Sequence, residues 1–380
     1  MPARDRRPVP DRRRAGAHRC RGARVIPAPE QVTPTWLTGA LRATAAAGAR
    51  VTAVQSAPVG GGKLSRCVRL RLRWSPAGAG PATLIGKFAA ADERTRRTGT
   101  DSDAYGRELL FYRRLAPAVP IRVPRCHLAE AAPGTGEFVL LLDDAAPARP
   151  RDQVRGATAD DVALALDELA RLQARFWGGA GLSGQDWLPV PGPAAGRRRA
   201  AAYRVTAEGF LARFGARLSP RARAVVAGFG TRVRRWAAAQ QPPYTLLHGD
   251  FRLDNLLFGD GPGSAPLTVL DWQTVALGSG PNDAAYLVGG ALPEDVRRDR
   301  EEDLLRHYRR ALATAGVRWA EAECRRAWRL GALAGLHMTV VGAMLVAADP
   351  ASDAMFVSLA ERHAAHVTDL EAFDVLDQHR

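Results

Sequence analysis

The sequence predicts an α+β protein of two lobes, a small strand-rich lobe followed by a larger helical one. Two observations carry this. Short alternating or wholly apolar runs, punctuated by Gly and Pro turns, fill the chain between residues 51 and 142. Beyond a Pro- and Arg-rich connection at 145–155, apolar residues recur at helical spacing almost to the C-terminus, with one β-hairpin at about 256–270. A length of 380 residues, 46% of them apolar, is enough for two lobes with real cores.

The elements follow in order. Thr35 to Ala47 reads as a short helix, and Val51 to Trp74 as two β-runs broken by Gly60-Gly61-Gly62. In the second run, Cys67 to Trp74, apolar and basic residues partly alternate, the pattern of a half-buried strand. Ser75 to Pro81 is a turn and Thr83 to Ala89 a third strand. Tyr105 to Leu115 has helical periodicity with Leu109, Tyr112 and Leu115 on one side, and Glu137 to Leu142 is a further, almost wholly apolar strand. Thr158 then opens a helix with capping-box spacing to Asp161, and Val162, Leu166, Leu169, Leu172 and Phe176 give that helix a buried stripe. The lobe boundary is expected near 143–155. No internal repeat is present.

The net charge of +15 is partly local. Residues 1–24 hold nine Arg against Asp5 and Asp11, and without them 45 basic residues face 37 acidic ones, a net of +8. This head has no apolar run and so is no secretory signal. Its composition also fits a transit peptide or a nucleic-acid arm, but a disordered extension, outside a protein that starts near Val25, is the expectation. Ala, Arg, Gly and Pro abound while Lys is nearly missing, so arginine accumulates by coding bias, and no nucleic-acid partner is expected. The four cysteines (Cys20, Cys67, Cys126, Cys324) form no C-x-x-C pair, which suits a reducing, cytoplasmic setting. Leu330 to Ala348 carries no Asp, Glu, Lys or Arg, yet Gly331, Gly335, His337, Thr339 and Gly342 dilute it. It reads as a buried helix and not as a membrane span.

The sharpest segment is Leu246-Leu247-His248-Gly249-Asp250-Phe251-Arg252-Leu253-Asp254-Asn255-Leu256-Leu257-Phe258. A polar cluster between two apolar runs is a loop held firmly by packed structure. A dense turn signal at 259–263 and an apolar strand to Leu270 follow, so a hairpin returns Asp271 beside Asn255. Phosphoryl transfer from ATP needs this equipment, because its barrier is lowered mainly by alignment and by neutralising phosphate charge. Asp250 is placed to orient an acceptor hydroxyl and receive its proton. The Asn255 amide oxygen and the Asp271 carboxylate supply hard oxygen ligands for Mg2+. Each residue alone would be an ordinary turn residue; the ordered set is not.

Upstream, Lys87 stands in Leu84-Ile85-Gly86-Lys87-Phe88 and is one of only two lysines, with Lys63. A compact ammonium kept in an apolar strand suits the α- and β-phosphates in a way that a guanidinium does not. Glu108 is its natural ion-pair partner. Gly60, Gly61, Gly62 and Ser65, between two strands, would let backbone N–H groups approach phosphate oxygens, although no P-loop motif occurs.

These residues resemble the aminoglycoside phosphotransferase/choline kinase-like superfamily, closest to its ecdysteroid-kinase-like branch and bacterial relatives. The resemblance rests on H-G-D-F-R-L-D-N (248–255), D-W-Q (271–273) and G-P-N-D (280–283), with I-G-K-F (85–88), R-E-L-L-F-Y-R-R-L (107–115) and F-V-L-L-L-D-D (138–144) upstream. It covers about residues 26–370. It implies a protein-kinase-like fold with a nucleotide-binding lobe at 25–144 and a helical lobe at 145–380 carrying the catalytic loop, metal and acceptor sites, residues 1–24 lying outside. It also implies ATP between the lobes, with adenine against the backbone of about Leu141–Asp143. His248 would support the catalytic loop or simply pack in the core, and Asp283 would anchor that lobe by hydrogen bonding. Trp272-Gln273 replaces the Phe-Gly of protein kinases, which implies a constitutively assembled site.

The expected partner is a small-molecule hydroxyl acceptor, taken up by a monomer or homodimer. An aminoglycoside or other antibiotic-inactivating kinase is the alternative; aminoglycoside kinases need an acidic acceptor pocket to hold polycations, and the +8 core speaks against one. Seven acids at 349–380 would reopen that reading if they lined the cleft; a solvated helix face is the favoured reading of them. An uncharged metabolite, steroid-like compound or natural product is therefore the leading acceptor. A metallophosphoesterase is rejected because its further His ligands are missing. A catalytically inactive kinase-like binding protein is the remaining alternative.

Overall fold

The computed structural model describes residues 26–60, 64–259, 261 and 265–377. The Arg-rich head lies outside the described residues, as do Gly61, Gly62 and Lys63.

Five antiparallel strands form the first sheet: β1 (Arg50–Pro58), β2 (Ser65–Ser75), β3 (Thr83–Ala89), β4 (Cys126–Ala131) and β5 (Phe138–Asp143), in the order β1-β2-β3-β5-β4. The alternation read in β2 is realised, with Val68, Leu70, Leu72 and Trp74 buried and Arg71 and Arg73 exposed. Those apolar side chains pack with Leu84, Phe88, Val139 and Leu141 against Leu37 of helix α1 (Pro34–Ala40). The opposite face of β5, carrying Phe138, Leu140 and Leu142, joins Tyr105 and Leu109 in the core shared with the helical lobe.

Helix α1 stops at Ala40, short of the expected Ala47, because the chain is captured elsewhere: the Ala46 N–H donates to the Ala79 carbonyl at 2.9 Å. Helices α2 (Glu93–Asp101) and α3 (Ala104–Leu110) precede β4. The turn that continues α3, Phe111–Leu115, is a π-helix, and Leu109, Tyr112 and Leu115 are all buried.

The helical lobe begins with α4 (Ala159–Arg175), whose N-terminus carries the predicted capping box: the Asp161 N–H donates to Thr158 Oγ1 at 3.1 Å, and the Thr158 N–H to Asp161 Oδ2 at 3.3 Å. Its predicted stripe is wholly buried. Helices α5 (Pro193–Phe214), α6 (Pro220–Gly230) and α7 (Val233–Ala239) follow. Strands β6 (Thr245–Leu247) and β9 (Ala276–Gly278) pair antiparallel and enclose the hairpin of β7 (Leu256–Phe258) and β8 (Leu267–Val269). Helices α8 (Pro281–Ala291), α9 (Glu294–Thr314), α10 (Glu321–Leu345), α11 (Pro350–Asp369) and α12 (Ala372–Asp377) complete the lobe.

Helix α10 contains the apolar stretch. By length and composition it could cross a membrane, yet 61% of its apolar window is buried inside the protein. Two of the three glycines that dilute it, Gly331 and Gly335, are packing devices. A Cβ on Gly331 would lie 2.3 Å from the Pro281 carbonyl oxygen, and one on Gly335 would lie 2.4 Å from the His363 ring. Gly331→Ala is expected to force α10 away from α8 and to destabilise by about 1–3 kcal/mol, the usual cost of overpacking. A melting temperature equal to that of the wild type would show that the interface yields without cost.

Most acids of residues 349–377 lie in partly exposed ion pairs and hydrogen bonds and do not form a free acidic lining. Asp349 caps α11 through the Ser352 N–H at 3.0 Å. Asp353 pairs with Arg213, Asp369 with Arg297 and Arg298, and Asp377 with Arg232 and Arg235. Glu361 accepts from the Ser219 hydroxyl at 2.7 Å, and Glu371 lies 3.7 Å from Arg329. Only Asp374 has no such partner among the described residues. The cause is compositional: a chain rich in arginine places a cation opposite nearly every acid of its last helices, and these pairs fasten α11 and α12 to the lobe.

Candidate active site

The loop after β6 is held from behind by α8. The buried Asp283 carboxylate accepts the His248 N–H at 2.6 Å and the Gly249 N–H at 3.0 Å. Gly249 has a positive φ of 84°, and a Cβ there would lie 2.5 Å from the Thr274 carbonyl oxygen, so only glycine fits. His248 is wholly buried, and burial lowers its pKa. Its Nδ1 accepts the Asp250 N–H at 3.2 Å and its Nε2 lies 2.7 Å from the Leu270 carbonyl, the pattern of a neutral ring protonated on Nε2. It therefore packs in the core and supports the loop at once.

Asp283 has no cation beside it among the described residues, and burial pushes its pKa from 3.8 to about 7. A carboxyl whose pKa is raised on folding contributes stability that is present below 3.8 and lost as pH rises through about 7. Asp283→Asn is accordingly expected to flatten the fall in melting temperature between pH 5 and pH 8, while weakening the loop. An unchanged pH dependence in that variant would contradict the assignment.

Asp250 emerges in front of this support. Arg252 Nε lies 3.1 and 3.2 Å from its two carboxylate oxygens, Tyr286 Oη donates to Oδ1 at 2.8 Å, and Asn255 Nδ2 donates to Oδ2 at 3.0 Å. Burial works against its charge, but the Arg252 guanidinium and the Tyr286 hydrogen bond outweigh it and hold the carboxyl below its ordinary range. Asn255 Nδ2 also donates to the Asp250 carbonyl at 2.8 Å, which spends the amide N–H groups and leaves its oxygen with no donor among the described residues.

The hairpin brings the second carboxylate alongside. Leu256 opposes Val269, and the Leu270 N–H donates to the Asn255 carbonyl at 2.9 Å, so Asp271 follows directly beside Asn255. Asp271 takes a left-handed backbone (φ 62°), which Asp tolerates better than most residues. Trp272 locks the turn, stacked on Phe111 with ring centroids 4.0 Å apart and planes 6° from parallel.

Lys87 lies between two carboxylates. Its Nζ is 2.7 Å from Glu108 Oε2 and 2.9 Å from Asp271 Oδ1, with 6% of Lys87 and 1% of Glu108 exposed. Burial disfavours the ammonium, but Asp271 and Glu108 raise its pKa well above the ordinary value. Burial raises the pKa of Glu108 against the pull of Lys87. The structure thus joins β3, α3 and the loop after β8 through one ammonium.

Asn255 Oδ1 and the half-exposed Asp271 carboxylate are hard oxygen donors that fit Mg2+. Two protein ligands suffice for an ion that takes its other ligands from phosphate and water. No cluster of three or more His, Cys, Asp or Glu able to hold a metal occurs among the described residues.

The remaining residues expected on the nucleotide side are dispersed. Gly60 ends the β1 segment with φ 67°, and Ser65 opens β2, buried and opposite Ala89. Leu141 is wholly buried inside the sheet, its backbone opposite both Gly86 and Leu128 and its side chain in the core with α1. The chain leaves the sheet at Asp143, whose carboxylate meets His127 Nε2 at 2.7 Å, and Asp144 is gripped by Arg69 at 2.6 and 3.1 Å. Two residues received no role from the sequence. Arg252 stands two positions after Asp250, where a cation beside a carboxylate was a usable signal. Tyr286 lies three positions after Asp283, one helical turn along the same face of α8.

The profile of the phosphotransferase enzyme family matches residues 83–330 of the chain. No curated protein matches the sequence. Among solved structures, choline kinase from Cryptosporidium parvum Iowa II aligns with a TM-score of 0.54 at 10% identity, over 86% of this chain and 90% of that one. A candidate aminoglycoside phosphotransferase from Ralstonia eutropha JMP134 aligns with a TM-score of 0.51 at 14% identity, over 88% and 97%. At such identities the likeness is one of fold: a β-sheet lobe and a helical lobe of the protein-kinase type.

Proposed function

Since the chain belongs to the phosphotransferase enzyme family, we propose that it transfers the γ-phosphoryl group of ATP, with Mg2+, to a hydroxyl of an uncharged small molecule. The observation that carries this is the convergence of Lys87, Glu108 and Asp271 with Asp250 and Asn255 across one hairpin. Lys87, fixed by Glu108, is the phosphate ligand. Asn255 and Asp271 would hold Mg2+, which when bound neutralises charge on the phosphates. Asp250 orients the acceptor O–H and takes its proton as the oxygen–phosphorus bond forms and the bond to the β-phosphate oxygen breaks, leaving ADP.

The acceptor class is supported by charge. Asp250 is already matched by Arg252, and the acids of α11 are matched by arginines, with Met355 Sδ on that helix 3.2 Å from Arg252 Nη1. Among the described residues these carboxylates are already matched by cations, which disfavours a polycationic acceptor. The test is a pooled screen of neutral hydroxylated compounds and of polycationic aminoglycosides with ATP and Mg2+, read by product mass. Phosphorylation of neutral compounds is expected; turnover confined to the polycations would sink the acceptor assignment.

A further inference from the structure

We propose that Tyr286 is a positioning residue for phosphoryl transfer, acting through Asp250, so that α8 grips the catalytic loop at two points. This rests on the reading of Asp250 as the carboxylate that orients the acceptor. Asp283 holds the loop's backbone, and Tyr286, one turn later on the same face, holds its reacting side chain.

The donors around Asp250 divide unevenly. Arg252 Nε is nearly equidistant from both oxygens and cannot by itself fix the rotation of the carboxylate. Asn255 Nδ2 marks Oδ2, and Tyr286 Oη is the donor that marks Oδ1 among the described residues. Together they set the plane of the group and thus the direction in which its free lone pairs meet an acceptor hydroxyl. Asn255 is the metal-side member of this pair, since its oxygen is the proposed metal ligand. Tyr286 is the member held by the packed helices. All eleven residues of α8 are buried, Gly331 lets α10 pack directly against Pro281, and the Tyr286 ring lies 5.3 Å from the wholly buried His363 of α11. A phenol held this firmly gives Asp250 an orientation that does not depend on whether metal is bound.

The test compares full-length wild type, Tyr286→Phe, Asp250→Asn and the double variant. Rates are measured as phosphate release from ATP and Mg2+ with water as acceptor, and as ester formation with any compound the screen yields. Tyr286→Phe keeps the ring and should keep the melting temperature and the nucleotide KM. Its kcat should fall about ten- to hundredfold, the worth of a hydrogen bond to a charged group. In the Asp250→Asn background the same change should cost nothing further, because the two residues act as one unit. Tyr203→Phe, which removes an equally buried phenol bonded to the Val226 carbonyl far from the loop, should leave kcat unchanged. A Tyr286→Phe kcat within about twofold of wild type, with Asp250→Asn impaired, overturns the proposal. So does an equal loss in both backgrounds, which would mark a general packing defect. Full activity of Asp250→Asn would instead remove the reading beneath it.

Discussion

Asp250→Asn is expected to lose acceptor phosphorylation by about 10²- to 10⁴-fold in kcat while still binding nucleotide. The amide cannot accept a proton from the acceptor, and it brings a second NH2 group to a position already served by three donors. One of those is Arg252, which sits 15% exposed and would keep only Asp254 as an anionic partner. Some stability is therefore lost as well, but Lys87, Glu108 and Asp271 are untouched. Nucleotide affinity measured by calorimetry should stay within a few-fold of wild type, on the order of 1 kcal/mol. A variant that turned over normally would remove Asp250 from the chemistry. One that lost nucleotide binding in proportion to rate would show a collapsed site instead of a missing base.

Lys87→Met should produce the second large effect, and it separates function from structure. Removing the ammonium leaves the buried Glu108 carboxylate and Asp271 facing each other, and breaking such a pair from one side costs about 3–5 kcal/mol. Activity should fall about 10²- to 10³-fold, as when one preorganised charge donor is lost. The stability deficit has a pH signature. Glu108 is already raised by burial with Lys87 present, and it rises further without it. A group raised on folding contributes stability at low pH that is lost as pH climbs through its folded pKa, so Lys87→Met should recover stability on acidification from pH 8 toward pH 5. Adding Glu108→Gln should restore much of the melting temperature at pH 8 and none of the activity. If the double variant regained activity, Lys87 would be a purely structural cation.

Much of this site was legible because it is local in sequence. Asp250, Asn255 and Asp271 sit on one loop and one hairpin, and an apolar strand on either side of each polar cluster fixes where the cluster emerges. Lys87 was legible for a different reason, as a lysine retained in a strand of a chain that otherwise uses arginine. What escaped was set by tertiary contact. Helix α2, Glu-Arg-Thr-Arg-Arg-Thr-Gly-Thr-Asp, has no apolar stripe to announce it, and β4, with Glu130 and two alanines at the sheet edge, has weak strand character. Pairing of β6 with β9 joins residues about 30 positions apart, beyond any periodicity. The pairing of the acids in the last helices was not legible because their partners, Arg213, Arg232 and Arg297, lie on other helices. Tyr286 escaped because a tyrosine inside an apolar helix looks like core until Asp250 is placed against it.

The central claim is that this chain moves a phosphoryl group from a nucleotide to a hydroxyl. The most direct measurement uses ATP labelled at the γ-phosphate, with Mg2+ and the pooled neutral hydroxylated compounds, and follows the label into organic phosphate. Wild type should place label in an acid-stable ester whose formation depends on both protein and acceptor, and Asp250→Asn should not. Label found only in unreacted ATP, or equally in the ester with both proteins, would contradict it.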